Sequence, residues 1–190
     1  MDSWTIVVAK ESDYAGVVSC FSSALETQEE GAKIEEERRN WILDGLLEEI
    51  RSGSVYVMKS RRGAIGFATV SHSMEDEFFP LSHRYSKSNV ILEEMGYRGE
   101  PLTMIKALFI EAAHQRKGLG DEFLHSLFAR YKNSSFALYL EEGNVEAKQF
   151  FLNHGFFPCG HGETIERGKG PKLILAKRYR PVGLCREPRW

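Results

Sequence analysis

The largely apolar run Leu102 to Ile110 passes directly into Glu-Ala-Ala-His-Gln-Arg-Lys-Gly-Leu-Gly-Asp, and that junction leaves the chain few architectures. The run is too long and continuous for a strand with one face in water, so it belongs at the centre of a sheet covered on both faces. Beyond the turn, Leu119, Phe123, Leu124, Leu127, Phe128 and Tyr131 recur at helical spacing and give one apolar face to a helix that begins at the glycines. A buried strand, a glycine turn and an amphipathic helix in that order call for a sheet with helices laid on it, an α/β (α+β) fold.

The flanking sequence reads the same way. Thr5 to Lys10 is a short β-branched strand, followed by a helix capped by Ser12 or Asp13 and carrying Val17, Val18, Phe21 and Leu25 on its apolar face. Ile34, Trp41, Ile42, Gly45, Leu46 and Ile50 mark a second helix, with the acidic run Glu35 to Glu37 on its solvated side. Ser54 to Ser60 and Ala64 to Ser71 are strands joined by Arg61-Arg62-Gly63 in a tight hairpin. From 72 to 100 the pattern weakens into an excursion with a short helix expected over Asn89 to Met95; such a connection either covers a substrate cleft or is a surface flap. Phe136 to Glu141 is a strand, Val145 to His154 a helix closed by Gly155, and Lys172 to Arg178 a last strand. Residues 1–180 read as a single domain holding the 72–100 excursion, and 181–190 as a C-terminal tail.

Charge and composition exclude several classes. The 25 basic and 27 acidic residues leave a net charge of −2, without the concentrated Lys and Arg that a general nucleic-acid surface needs. No run approaches the roughly 18 apolar residues of a membrane span, and Met-Asp-Ser-Trp lacks the layout of a signal peptide. Cys20, Cys159 and Cys185 have neither zinc-site spacing nor the density of a disulfide scaffold. No metal, no membrane and no nucleic-acid partner is expected, and the reducing cytoplasm is the expected compartment.

Gln115 to Gly120 lies where the free amides and the positive dipole end of a helix converge, which is a phosphate-binding geometry. Gly118 and Gly120 let a pyrophosphate approach the backbone, and Arg116 and Lys117 place positive charge on the rim. A glycine-rich helix start without a ligand is the alternative. Among phosphate ligands, a Walker loop would need Gly-Lys-Ser/Thr where Gly120 is followed by Asp121 and Glu122, which repel a nucleotide phosphate. The dinucleotide fingerprint would need glycine where Phe123 stands.

Gln115, Gly118 and Gly120 fit the pattern Gln/Arg-x-x-Gly-x-Gly/Ala. Asn144, Ala147, Phe150, Phe151, Gly155 and Phe156 fit Asn-x-x-Ala-x-x-Phe/Leu-Tyr-x-x-x-Gly-Phe, with Phe151 in place of the tyrosine. On these motifs, in order on strand-helix units, residues from Leu102 to Phe157 resemble the GNAT superfamily of acetyl-CoA-dependent N-acetyltransferases. The resemblance implies a strongly twisted mixed sheet with helices on both faces, splayed between the fourth and fifth strands to admit CoA. It implies pyrophosphate binding by backbone amides from Gln115 or Arg116 through Lys117, Gly118, Leu119 and Gly120, and pairing of pantetheine with the backbone of Leu108, Phe109 and Ile110. Asn144 would face the pantetheine arm, although a helix cap is an equally physical role for it. Phe151, at the remaining motif position, would be a further CoA contact.

The implied activity is acetyl transfer from acetyl-CoA to a primary amine of a small molecule or peptide by direct attack in a ternary complex, in a monomer or homodimer. The oxyanion would be held by the Leu108 amide. The usual proton donor to the leaving thiolate is the motif tyrosine, here Phe151, so His154, one turn further along the helix, and Tyr139 on the preceding strand are the substitutes. Each also has a plain structural reading, His154 as a cation near a helix C-terminus and Tyr139 as a core ring. The strand position that carries a glutamate base in some relatives is here about Met104, leaving Glu75, Asp76, Glu77 and Glu100 as charges that would attract a cationic amine, or simply solvated loop charge. A CoA-binding module without turnover is the rival, motivated by Phe151.

Overall fold

The computed structural model describes residues 3–26, 36–73, 101–162 and 172–178. Its contacts divide the chain into two units, Met1–His72 with Met104–Arg130 and Ser73–Thr103 with Tyr131–Trp190.

The first unit runs through β1 (Thr5–Val8), a 3-10 turn (Glu11–Asp13), α1 (Tyr14–Glu26), α2 (Glu36–Arg51), β2 (Val55–Ser60) and β3 (Gly63–Ser73). It continues with β4 (Leu102–Ile110), which enters the unit at Met104, a second 3-10 turn (Ala112–His114) and α3 (Leu119–Arg130). The strands lie in the order β1-β2-β3-β4. β1 pairs antiparallel with β2 (Val7 opposite Val57), and β2 with β3 across the expected hairpin (Val57 opposite Phe67), with a register shift between Met58 and Lys59. Near the start of β3 the Glu111 amide donates to the Ile65 carbonyl at 2.9 Å, placing the end of β4 beside it.

Neighbouring residues of β3 show where the helices lie, because successive side chains of a strand point to opposite faces. Phe67 sits in a core with Val17, Cys20 and Phe21 of α1 and Leu46 and Ile50 of α2. Its ring stacks on Phe109 at 5.3 Å, and Phe21 meets Phe109 edge-on at 5.1 Å. Gly66 faces the other way, towards Phe123 of α3. Helices therefore cover both faces, which is why Val55 to Met58 are buried without alternation. Each such side chain contributes about 1.5–3 kcal/mol of burial free energy.

The second unit contains β5 (Ser135–Glu141), α4 (Val145–Asn153), β6 (Phe157–Gly162) and β7 (Lys172–Lys177), with strand order β5-β7-β6 and both pairings antiparallel. β7 is the central strand, and Leu173 to Ala176 are all buried. Gly155, at φ +81°, ends α4 in the left-handed conformation that favours glycine. The mixed α/β fold expected from the sequence is the fold observed.

Several local expectations are revised. β1 stops at Val8 rather than Lys10, where the Lys10 amide donates to Asp13 Oδ2 at 2.9 Å across a 3-10 turn; α1 begins at Tyr14, directly after Asp13, one of the two expected caps. Asp13 also pairs with Lys59 at 2.6 Å. Burial alone would raise the Asp13 carboxyl, but the bonds from Lys59 and the Lys10 backbone outweigh it and hold it below its ordinary value. β6 carries no strand signal in the sequence, because Pro158 and the glycines that follow obscure any strand pattern; the register shift between Pro158 and Gly160 absorbs them. Of the 72–100 excursion, His72 and Ser73 extend β3; residues 74–100 with the short helix, Glu75, Asp76, Glu77 and Glu100, the side chains of Glu35 to Glu37, and the tail lie outside the described residues. No described helix is long and apolar enough to cross a membrane.

Two glycines separate tight packing from idle space. A Cβ at Gly66 would lie 2.7 Å from Ile110 Cδ1 and 3.1 Å from the Phe109 carbonyl oxygen, and the carbonyl moves only with β4. Gly66→Ala is expected to cost about 1–2 kcal/mol in urea unfolding. Gly45, in α2, has nothing within 4 Å of the same position, so Gly45→Ala is expected to add about 0.4–1 kcal/mol. Equal effects from the two substitutions would contradict this packing.

Candidate phosphate-binding turn

The turn from β4 to α3 is built on protein hydrogen bonds behind it. Leu108, Phe109 and Ile110 end β4 half-buried. The Phe109 ring is committed to the aromatic cluster, so its backbone is what remains for other contacts. The Ala112 amide donates to Ser23 Oγ at 3.3 Å, anchoring the turn to α1. Within the turn the His114 amide donates to the Glu111 carbonyl at 2.8 Å, and the His114 ring Nδ1 meets Glu111 Oε2 at 2.8 Å.

Gln115 serves as a brace. Its side-chain Nε2 donates to the Ile110 carbonyl at 2.9 Å, and its own amide donates to the Ala112 carbonyl at 3.2 Å. The Gln115 amide, placed at the edge of the cradle by the sequence reading, is thus spent inside the turn. From here the backbone alternates in hand. Gln115 has φ −66°, Arg116 +57° and Gly118 +78°, and Arg116 is the one non-glycine residue with positive φ among those described. Lys117, between the two, has negative φ. Such alternation turns successive N–H groups into a shared concavity that accommodates an anion.

The helix adds to it. The first helical bond runs from the Glu122 amide to the Gly118 carbonyl at 3.1 Å, so the Leu119 and Gly120 amides precede the α3 ladder and have no acceptor one turn back. Leu119 itself is buried and anchors the helix start, while Arg116 and Lys117 are exposed. Lys117 Nζ donates to the Ala113 carbonyl at 2.6 Å, which holds its charge on the rim. Glu122 Oε2 accepts from Trp4 Nε1 at 2.6 Å, a contact between residues 118 positions apart that no local pattern could reveal. Cys20 of α1 lies beneath this region; burial first, and then the nearby Glu111 charge, push its thiol up to about 12, so it is no nucleophile at neutral pH.

The other candidates belong to the second unit. Asn144 precedes α4, and its Oδ1 accepts from the Ala147 amide at 3.1 Å, so the cap role is realised. Phe151 is buried at 7% exposure, edge-on to Phe150 at 5.1 Å and Phe156 at 5.2 Å. His154 ends α4 half-buried, with Nδ1 donating to the Phe150 carbonyl at 2.8 Å, and its own carbonyl accepts from Lys177 Nζ. Burial lowers the Lys177 ammonium below its ordinary value. Tyr139 is half-buried on β5, opposite Ile174 of β7.

The turn's conformation has a consequence for stability. Gly118→Ala places a Cβ in the left-handed region and is expected to cost about 1–2 kcal/mol. Arg116→Gly relieves a similar strain at the cost of a freer unfolded chain, leaving a net change of about 0–1 kcal/mol in the stabilising direction. Thermal melts of the two variants check this; an Arg116→Gly loss as large as that of Gly118→Ala would contradict it.

The family model described as the acetyltransferase (GNAT) family matches residues 16–156. Among solved structures, the chain is similar to a GNAT-family acetyltransferase from Streptococcus agalactiae, with TM-score 0.74 and 17% identity over 94% of this chain and 96% of that one. It is similar also to PaiA N-acetyltransferase from Thermoplasma acidophilum in complex with coenzyme A, with TM-score 0.63 and 16% identity over 93% and 99%. A third is a Corynebacterium glutamicum structure described as histone acetyltransferase HPA2 and related acetyltransferase, with TM-score 0.63 and 16% identity over 97% and 100%. At these identities the likeness is one of fold. No curated protein sequence matches significantly.

Proposed function

The chain belongs to the acetyltransferase (GNAT) family, and from that premise we propose that it transfers an acetyl group from acetyl-CoA to a primary amine by direct attack in a ternary complex. The observation that supports this most is the turn of alternating hand at 115–118 leading into the opening amides of α3. The amides from Arg116 through Gly120 would hold the pyrophosphate, with Arg116 and Lys117 supplying positive charge at its rim.

Acetyl-CoA supplies the activated thioester; the protein's part is to bind it, orient it and manage charge. The Leu108 amide is proposed to stabilise the developing oxyanion. An amine with a pKa near 10 arrives protonated, so the site must remove a proton before attack. Phe151 has no proton to give the leaving thiolate. A proton from His154 would come from Nε2 of the doubly protonated imidazolium, since Nδ1 keeps its own proton on the Phe150 carbonyl; Tyr139 is the second candidate donor. Asn144 uses its carbonyl oxygen as a cap, so a contact with the pantetheine arm would use its amide nitrogen. The proposed acceptor is a small-molecule or peptide amine, and the proposed setting a cytoplasmic monomer or homodimer.

The buried Phe151 also favours a second reading, a CoA-binding module without turnover. Incubation with acetyl-CoA and a panel of amines, monitored by thiol release, separates the two. The enzyme releases thiol with at least one amine, whereas a binding module shows a higher melting temperature with CoA and no thiol. Gly120→Glu, which adds bulk and negative charge at the cradle, is expected to weaken CoA about tenfold or more. Unchanged affinity would reject this placement of the pyrophosphate.

A further inference from the structure

We propose that Trp4 is a positioning residue for the phosphate cradle, its indole N–H holding the Glu122 carboxylate away from the α3 amides that a phosphate must reach. The proposal rests on the CoA reading above and adds to it a residue distant in sequence from every family motif.

Glu122 is an awkward residue for an anion site. It lies in the first turn of α3, and its amide makes the first helical bond, to Gly118. A carboxylate there is drawn to the same helix dipole as a phosphate; Asp121 holds the capping-box position, and Glu122, one residue later, acts on the opening of the helix through its charge. Left loose, Glu122 is an internal competitor for the cradle as well as a repulsive charge beside it. The structure gives the carboxylate another partner, since Oε2 accepts from Trp4 Nε1 at 2.6 Å, a short charge-assisted bond.

Trp4 is suited to this role. The indole N–H is a donor only, so it can satisfy a carboxylate but cannot itself cap an amide. Its backbone is fixed by the next residue, because Thr5 opens β1 opposite Lys59 of β2. The tether therefore links the first strand to the first turn of α3 within one unit.

The test is calorimetric titration of CoA into wild type, Trp4→Phe, Glu122→Gln and the double variant at low ionic strength. Trp4→Phe keeps the ring and removes the donor, and is expected to weaken CoA about threefold to tenfold. Glu122→Gln should bind as tightly as wild type or more so, and the double variant should match Glu122→Gln, because without the charge there is nothing to restrain. The Trp4→Phe loss should shrink as salt screens the competing charge. Glu122→Asp, too short to reach Trp4 yet still charged, predicts the same weakening with the aromatic residue intact and covers the case in which Trp4→Phe does not fold. A purely structural Trp4 would give a loss that Glu122→Gln does not rescue, and that result overturns the proposal. Wild-type protein that binds CoA with Trp4→Phe and Glu122→Asp equally tight overturns the tether alone; wild-type protein that does not bind CoA removes the underlying reading and the tether with it.

Discussion

The Gln115 carboxamide, donating to the Ile110 carbonyl at 2.9 Å, ties the last residue of β4 to the turn that follows it. Without that bond the half-buried end of the strand would lose about 0.5–1.5 kcal/mol of hydrogen bonding, and the turn would have no fixed starting point. With it in place, the Ala112 amide on Ser23 and the Glu111 amide on Ile65 pin the same segment to α1 and β3. The alternating backbone at Arg116 and Gly118 can then be held in a conformation a free peptide would seldom keep. Pre-organisation of this kind spares a ligand the cost of ordering the loop.

Much of the first unit could be read from residue pattern, and the reasons are local. β4 and α3 were legible because a continuous apolar run and a 3.6-residue periodicity are strong signals, and the glycines between them mark the junction. The hairpin at Arg61-Arg62 and the cap at Asn144 followed from turn and capping chemistry. What escaped was set by partners distant in sequence or by irregular backbone. β1 ends short of Lys10, whose amide the Asp13 carboxylate takes. β6 survives Pro158 only through a shift in register.

The candidate site was legible in the same divided way. Gln115, Gly118 and Gly120 could be picked out as a motif, but a motif does not say that Gln115 is a brace rather than an open amide, which depends on the carbonyls of Ile110 and Ala112. Nor does it say that Arg116 accepts left-handed strain to turn the chain. Asp121 and Glu122 counted in the sequence only as charges hostile to phosphate. In the fold, Glu122 is engaged by Trp4, a pairing across 118 residues that only tertiary structure creates. Phe151, the one departure from the family pattern, is buried between two other rings, so its replacement of tyrosine is a packing choice as well as the loss of a proton donor.

The claim at the centre is that the amides opening α3 grip a diphosphate, and backbone amide resonances observe those groups directly. In a nitrogen-15-labelled sample titrated with CoA, the Gly118, Leu119 and Gly120 amides should show the largest shifts, and pantetheine, which has the thiol arm but no diphosphate, should leave them in place. Amides unmoved by CoA, or moved equally by pantetheine, would contradict it.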